Sequence, residues 1–370
     1  MNTKVITEGK AKIKTWTKEI VSKDMPVFYN PLMKFNRDMS VLLLNSVDKN
    51  DMNIGDPMAG TGVRAVRLLT ELKKGKIKSI QINDLSEKAV ETIKENIELN
   101  KDNLNYEDIE VSQKDANLFI LESQGFDYLD IDPFGTPNPF LDSSMERISR
   151  GGILAVTATD TAALCGTYPT TCKRNYYATP LRNEHMHELG LRILARKVQL
   201  IATQYEKALT PIFSYHKDHY FRIFFLCTKS KTKCDEMIKR HKFFHYCNKC
   251  LNFETSDKNE LTCCERKMDY AGPLWVGELN DKILLKEMIK NNDIKENKEF
   301  LETILKESQK NIVGFVDLHR YSQKYKTGIP KTDEAITKLR NNGFFAEKTI
   351  FDLYGIRTDA KIKEFVEAVR

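Results

Sequence analysis

Between Met52 and Thr159 short apolar runs alternate with stretches whose apolar residues recur every three or four positions. That is the rhythm of strands and crossover helices in an α/β domain with a parallel sheet. The runs predict strands at Met52–Asp56, Ser79–Asn83, Ile109–Ser112, Phe126–Asp132 and Gly152–Thr157. Ser86 caps a segment whose Ala89, Val90, Ile93 and Ile97 fall on one helical face, so a crossover helix is expected there. From Asn183 to Lys207 the pattern is that of one long amphipathic helix, with Leu189, Ile193, Leu194, Val198 and Ile201 apolar and Pro211 just past its end. Ile212–Tyr215 and His219–Thr228 then read as a hairpin turning at His216-Lys217-Asp218.

Past Lys229-Ser230-Lys231 this rhythm gives way to a cysteine-bearing aromatic segment and then to helices. A boundary near Ser230 follows, with domains over 1–230 and 231–370, and a length of 370 residues leaves room for both. The longest apolar stretches, Ile153 to Val156 and Phe221 to Cys227, fall far short of the ~20 residues a spanning helix needs. The N-terminus carries Lys4, Glu8 and Lys10 and lacks an apolar leader core. A cytoplasmic protein with no membrane partner is expected, and no feature indicates a protein partner. The net charge of +6 permits a polyanionic partner without requiring one.

Three acids follow three successive strands. The turn Gly55-Asp56-Pro57-Met58-Ala59-Gly60-Thr61-Gly62 joins a strand to a helix, and Gly60 and Gly62 would let the backbone approach a ligand closely. It is not the full dinucleotide fingerprint, which disfavours a nicotinamide enzyme. Asp84 ends the next strand, where an acid can accept ribose hydroxyls, and Asp115-Ala116-Asn117 follows the third, where a carboxylate can accept an adenine amine. Together Asp56, Gly60, Gly62, Asp84 and Asp115 resemble the nucleoside-binding motifs of class I methyltransferases. The resemblance implies S-adenosylmethionine as cofactor, with Arg37 and Arg67 as partners for its methionine carboxylate.

The fourth strand runs FDYLDIDPFGTPNP. At its carboxyl end Asp132 and a turn carbonyl could accept the two hydrogens of an aromatic amine while Phe134 stacks on the ring. Asp132 is expected to orient the amine first and to assist proton loss second. Asp130 lies on the same face of the strand.

DPFG, VFYNP at Val27–Pro31 and NRD at Asn36–Asp38 resemble the tRNA (guanine-26, N2)-dimethyltransferase family. The likeness continues through Thr161 to Glu188, HYFR at His219–Arg222, GPLWVGEL at Gly272–Leu279 and GIRTDA at Gly355–Ala360. It implies a class I methyltransferase (Rossmann-like) sheet with a C-terminal mixed α/β, zinc-bearing domain. The implied reaction transfers one and then a second methyl to the amino group of a tRNA guanine, which must flip out of its stack to reach the site. By residue, the resemblance implies cofactor binding at Arg37, Arg67, Asp84, Asp115 and Ala116, catalysis at Asp132 and base contact at Phe134. Other amine substrates, in DNA or in a protein amide, and a non-catalytic tRNA-binding role remain as alternatives.

Eight cysteines without an export signal argue for metal, catalysis or burial in place of disulfides. Cys247, Cys250, Cys263 and Cys264 are the candidate zinc ligands, although the adjacent pair departs from the usual C-x-x-C spacing. Three thiolates with His245, or no metal, are the other readings. Between Arg320 and Arg370, 11 basic residues outnumber 7 acidic ones. Arg320, Lys324, Lys326, Lys331, Lys338 and Arg340 are interleaved with Tyr321, Tyr325, Phe344, Phe345 and Tyr354, which reads either as a grip on tRNA phosphates or as a solvated helical domain with core aromatics.

Overall fold

In the computed structural model, which describes residues 3–16, 26–106 and 108–370, contacts divide the chain into two units. The first comprises Met1–Pro133, Pro137–Thr157 and Phe224–Lys229; the second comprises Phe134–Thr136, Ala158–Ile223 and Ser230–Arg370.

The first unit opens with an antiparallel hairpin, β1 (Thr3–Glu8) and β2 (Ala11–Trp16), followed by helix α1 (Lys34–Ser46). The α/β run then gives β3 (Met52–Asp56), α2 (Val63–Glu71), β4 (Ile77–Asp84), α3 (Glu87–Glu98) and β5 (Ile109–Gln113). It continues with α4 (Ala116–Glu122), β6 (Phe126–Ile131), α5 (Leu141–Arg147) and β7 (Ile148–Ala158). These five strands pair in parallel in the order β5-β4-β3-β6-β7. Ile54, Ile80, Ile82, Tyr128, Leu129, Ile131 and Leu154 are essentially fully buried, as strands covered on both faces require. The expected strands are present, with β4 and β7 longer than their apolar runs alone indicate.

The chain moves from β3 outward to β5 and returns to the other side of β3 with β6, so the order reverses at the β3–β6 pair. Open α/β sheets bind ligands at the carboxyl ends of the strands at such a reversal. Asp56 ends β3 and Asp132 follows β6 directly, which puts both at this point.

The second unit carries α6 (Thr161–Leu164), α7 (Pro169–Tyr176) and α8 (Met186–Gln204), then a hairpin of β8 (Lys207–Lys217) and β9 (Tyr220–Lys229), of which Phe224–Lys229 belongs to the first unit. The long helix starts later than the Asn183 expected, because Asn183 Oδ1 accepts the His185 N–H at 3.0 Å and holds a turn there. Pro211 lies inside β8; that strand is last in the order β7-β9-β8, and a sheet edge tolerates a residue without an N–H. The hairpin turns at Asp218, with φ 49°; its first strand is longer than expected, and its second has the expected length one residue further on.

Helix α9 (Lys231–Ile238) leads into β10 (His241–Tyr246), β11 (Phe253–Ser256), β12 (Thr262–Cys263), β13 (Arg266–Lys267) and β14 (Asp269–Trp275). Helices α10 (Lys282–Asn291) and α11 (Lys295–Glu307) follow, then β15 (Val316–Asp317), α12 (Leu318–Tyr325) and α13 (Thr332–Asn341). β16 (Ala346–Lys348), β17 (Gly355–Thr358) and α14 (Ile362–Val369) complete the chain. One buried ion network joins its motifs. Arg357 of β17 pairs with Glu188 of α8 at 3.1 Å and Glu307 of α11 at 2.8 Å, while Arg192 pairs with Glu188 at 2.9 Å and donates to the carbonyls of Trp275 and Gly277. The cations are balanced by acids, as full burial demands. The two arginines hold the Glu188 carboxyl, against the cost of its burial, down to about 2.

Candidate active site and metal centre

The loop from β3 to α2 builds a cradle at the sheet's carboxyl edge. Gly60 has φ 56°, its N–H donates to Asp84 Oδ2 at 2.8 Å, and a Cβ there would sit 3.0 Å from the Phe28 carbonyl oxygen. Gly62, at φ 72°, precedes α2 and would push a Cβ to 3.0 Å from Ile93. Asp84 Oδ1 also accepts the Ser86 N–H at 2.9 Å, so two backbone donors fix its carboxylate while each oxygen retains a lone pair. Asp115 is exposed and caps α4 through Oδ1, accepting from Asn117 and Leu118 at 2.9 and 3.3 Å. Ala116 is buried beside it.

Asp56 is 4 % exposed, and its Oδ2 has no hydrogen-bond partner among the described residues. Burial drives its pKa up to about 7, with Arg64 opposing and Asp130, Asp132 and Asp84 adding to the rise. Four carboxylates against one guanidinium suit a cationic ligand. The orphaned oxygen, the glycine cradle and this acid excess fit S-adenosylmethionine, whose sulfonium and ammonium are positive.

Asp132 emerges from β6 with its side chain 21 % exposed. Its Oδ2 accepts a hydrogen bond from Arg64 Nη2, and its Oδ1 accepts none among the described residues. Arg64 Nη1 in turn reaches Asp130 at 3.3 Å, Asn36 Oδ1 at 2.9 Å and Ser40 Oγ at 3.0 Å. Asp130 also accepts from Tyr128 at 2.5 Å, so it supports the site from the buried side. Past Pro133 the chain presents Phe134, 52 % exposed, at a turn whose Gly135 has φ 81°. Gly135 donates to Thr159 Oγ1 at 2.7 Å and accepts the Thr159 N–H at 2.9 Å, a clamp that sets the turn.

Arg37 and Arg67 lie together in a buried charge cluster. Arg37 donates to Glu8 through Nε and Nη2, both at 2.6 Å, and to the Asn30 carbonyl at 3.1 Å. Arg67 pairs with Asp38 at 2.6 Å, Glu71 at 2.7 Å and Glu8 at 3.1 Å. Arg37 Nη1 makes no hydrogen bond among the described residues, and it is the nitrogen open to a further carboxylate.

The four cysteines converge: their sulfurs lie within 4.8 Å of one another, with Cys250 to Cys263 at 3.5 Å and Cys263 to Cys264 at 3.9 Å. Tetrahedral zinc with bonds of ~2.3 Å needs sulfurs ~3.8 Å apart, so the group could hold a zinc ion. The adjacent pair reaches one centre through its backbone. Cys264 and Glu265, at φ 52° and 61°, form the two-residue turn between β12 and β13, where Cys263 pairs with Arg266. On the other side, the Leu251 N–H returns to the Cys247 carbonyl at 2.7 Å. His245 is not in the group; its Nε2 bonds the Lys258 carbonyl at 2.7 Å.

In the C-terminal segment Tyr321 is core, 1 % exposed and packed on Tyr325 and Phe365, and the Tyr325 hydroxyl donates to the Cys250 carbonyl. Arg320, Lys331 and Arg340 are paired with Glu184, Glu334 and Glu347, and Lys338 bonds the terminal carbonyls of Val369 and Arg370. Lys324 and Lys326 are exposed.

Sequence reasoning missed Glu8, which holds Arg37 and Arg67, and Arg64, which holds Asp132. Arg64 carried a signal: it stands in the first turn of a helix, where the dipole disfavours a cation unless carboxylates compensate.

The family model for N2,N2-dimethylguanosine tRNA methyltransferase matches residues 7–370. A tRNA (guanine(26)-N(2)/guanine(27)-N(2))-dimethyltransferase of Aquifex aeolicus is 40 % identical over 379 residues, covering 98 % of this chain and 95 % of that protein. A tRNA (guanine(26)-N(2))-dimethyltransferase of Methanobrevibacter smithii is 38 % identical, covering 99 % and 97 %. The structure of Trm1 from Pyrococcus horikoshii with S-adenosyl-L-methionine superposes with a TM-score of 0.88 at 34 % identity, covering 99 % of both chains. No helix among the described residues is long and apolar enough to cross a membrane. With the doubly wound sheet, the acid-lined cradle and the DPFG turn in place, the chain belongs to the N2,N2-dimethylguanosine tRNA methyltransferase family.

Proposed function

We propose that this protein transfers one and then a second methyl group from S-adenosylmethionine to the exocyclic amino group of guanine 26 in tRNA. The observation that carries the reading is Asp132 at the β3–β6 reversal, with Oδ2 held and Oδ1 open, followed by an exposed Phe134. S-adenosylmethionine, when bound, supplies an electrophilic methyl on a cationic sulfur. Asp56, Gly60, Gly62, Asp84, Asp115 and Ala116 would hold it, with Arg37 Nη1 and the Arg67 cluster at its methionine end.

Phe134 stacks on the flipped guanine. Asp132 Oδ1 accepts one amine hydrogen and turns the nitrogen lone pair out of conjugation toward the methyl donor. The amine grows acidic as its bond to carbon forms, and the same carboxylate takes the proton released. A monomethylated guanine keeps one N–H for Asp132, which allows a second round.

Cys247, Cys250, Cys263 and Cys264 bind zinc in this reading; four thiolates leave no open coordination position, so the metal is structural. Residues 1–230 serve as the cofactor-binding catalytic domain and 231–370 as the zinc-bearing domain that contributes tRNA contacts, Lys324 and Lys326 among them. The cytoplasm is the proposed location. Labelled methyl transfer to a tRNA transcript with guanine at position 26, set against one with adenine there, tests the reading.

A further inference from the structure

Arg64 is a cation in a place that does not favour one. It lies in the first turn of α2, where the helix dipole is positive, and its side chain is 8 % exposed. Burying a guanidinium there is costly unless its donors and charge are answered. Asp130, with a side chain 1 % exposed and 3.3 Å away, already supplies a counter-charge, and the buried Asn36 and Ser40 of α1 accept further hydrogen bonds. The second carboxylate, Asp132, is the more exposed of the two acids, and its Oδ2 accepts from Nη2.

We propose that Arg64 is a positioning residue for methyl transfer, clamping Asp132 Oδ2 from α2 so that Oδ1 alone faces the guanine amine. This rests on Asp132 being the amine-orienting group. A carboxylate two bonds from its strand can rotate about χ1 and χ2; a guanidinium anchored by Asn36, Ser40 and Asp130 restricts that freedom. Asn36 is itself buried and reaches Thr157 at 3.4 Å on β7, so the clamp is tied to the sheet beside β6. Arg64 moves no proton; it removes orientations in which the nitrogen lone pair would miss the methyl carbon. Misplacement by ~1 Å can cost ~10²-fold in rate.

The test is a double-mutant cycle on the full chain with Arg64→Gln and Asp132→Asn, reading kcat, KM for tRNA and calorimetric affinity for S-adenosylmethionine. Arg64→Gln is expected to lower kcat ~10²-fold with both binding constants within about threefold, and the double variant to be no worse than Asp132→Asn alone. Arg64→Lys, which keeps the charge but not the fork, is expected to recover part of the loss. If Arg64→Gln folds poorly, Arg64→Ala with and without low-millimolar guanidinium ion, urea serving as control, reads the same contact: guanidinium is expected to raise kcat and urea not. Additive losses in the cycle, an unchanged kcat in Arg64→Gln, or no guanidinium rescue would overturn the clamp. Full activity in Asp132→Asn would instead remove the reading beneath it.

Discussion

Glu8, near the start of the chain, receives two hydrogen bonds from Arg37 at 2.6 Å each and a third from Arg67 at 3.1 Å. This ties the N-terminal hairpin to α1 and α2 through a carboxylate that is 3 % exposed. Burial works against its charge, but the arginines and the Tyr29 hydroxyl hold its pKa down to about 2 from 4.5. A depressed carboxyl pKa stabilises the fold fully above the unfolded value and progressively less as pH falls toward the folded one. Unfolding at several pH values is therefore expected to show a loss of stability from about pH 4.5 down to about 2 that is smaller in Glu8→Gln. At neutral pH, Glu8→Ala is expected to cost roughly 3 kcal/mol, as for other broken buried pairs. Identical pH slopes in the two proteins would show that Glu8 does not carry this acid sensitivity.

Asp56 titrates in the opposite sense. With its pKa raised to about 7 by burial and by Asp130, Asp132 and Asp84 against the pull of Arg64, it is partly protonated at neutral pH. A cationic cofactor favours the ionised form, so binding lowers this pKa and expels a proton. Affinity for S-adenosylmethionine is expected to rise between pH 6 and 8, approaching tenfold per unit on the acid side, and Asp56→Asn to flatten the dependence. Calorimetry in buffers of different ionisation enthalpy reads the released proton directly. A pH-independent affinity without proton release contradicts the assignment of Asp56 to the cofactor.

Asp132→Ala is expected to keep cofactor affinity within about threefold while methyl transfer falls by ~10²-fold or more. Phe134→Ala is expected to act on the other substrate, raising KM for tRNA about tenfold through a lost base stack. Full transfer by Asp132→Ala removes that residue from the mechanism.

Purified protein is expected to carry one zinc per chain, and chelation or Cys250→Ser to lower the melting temperature without changing which nucleoside is formed. Absence of zinc, with unchanged melting after chelation, rules out the thiol centre. The turn at Cys264 and Glu265 gives a further check: glycine in place of Glu265 relieves a positive φ and is expected to raise stability slightly.

The sheet was legible because buried parallel strands read as apolar runs, and Asp56, Asp84 and Asp132 sit where those runs stop. The hairpin at the N-terminus was not, since TKVITE and AKIKTW are short and rich in polar residues. Glu8 and Arg64 act across 29 and 68 residues to Arg37 and Asp132, and such partnerships leave no period in the sequence. The meeting of Cys263 with Cys264 depended on two positive φ angles at residues that disfavour them. Arg357 and Glu188, conspicuous within motifs, proved to be partners in a buried network 169 residues apart in sequence, and not contacts awaiting a ligand.

Incubating the protein with labelled S-adenosylmethionine and an unmodified tRNA transcript, then digesting the RNA to nucleosides, reads donor, acceptor and number of methyl groups together. The expected result is labelled N2,N2-dimethylguanosine, preceded in time by the monomethylated nucleoside and abolished when position 26 is adenine. Label on another base, or undiminished label on the adenine-26 transcript, would rule out guanine 26 as the methyl acceptor.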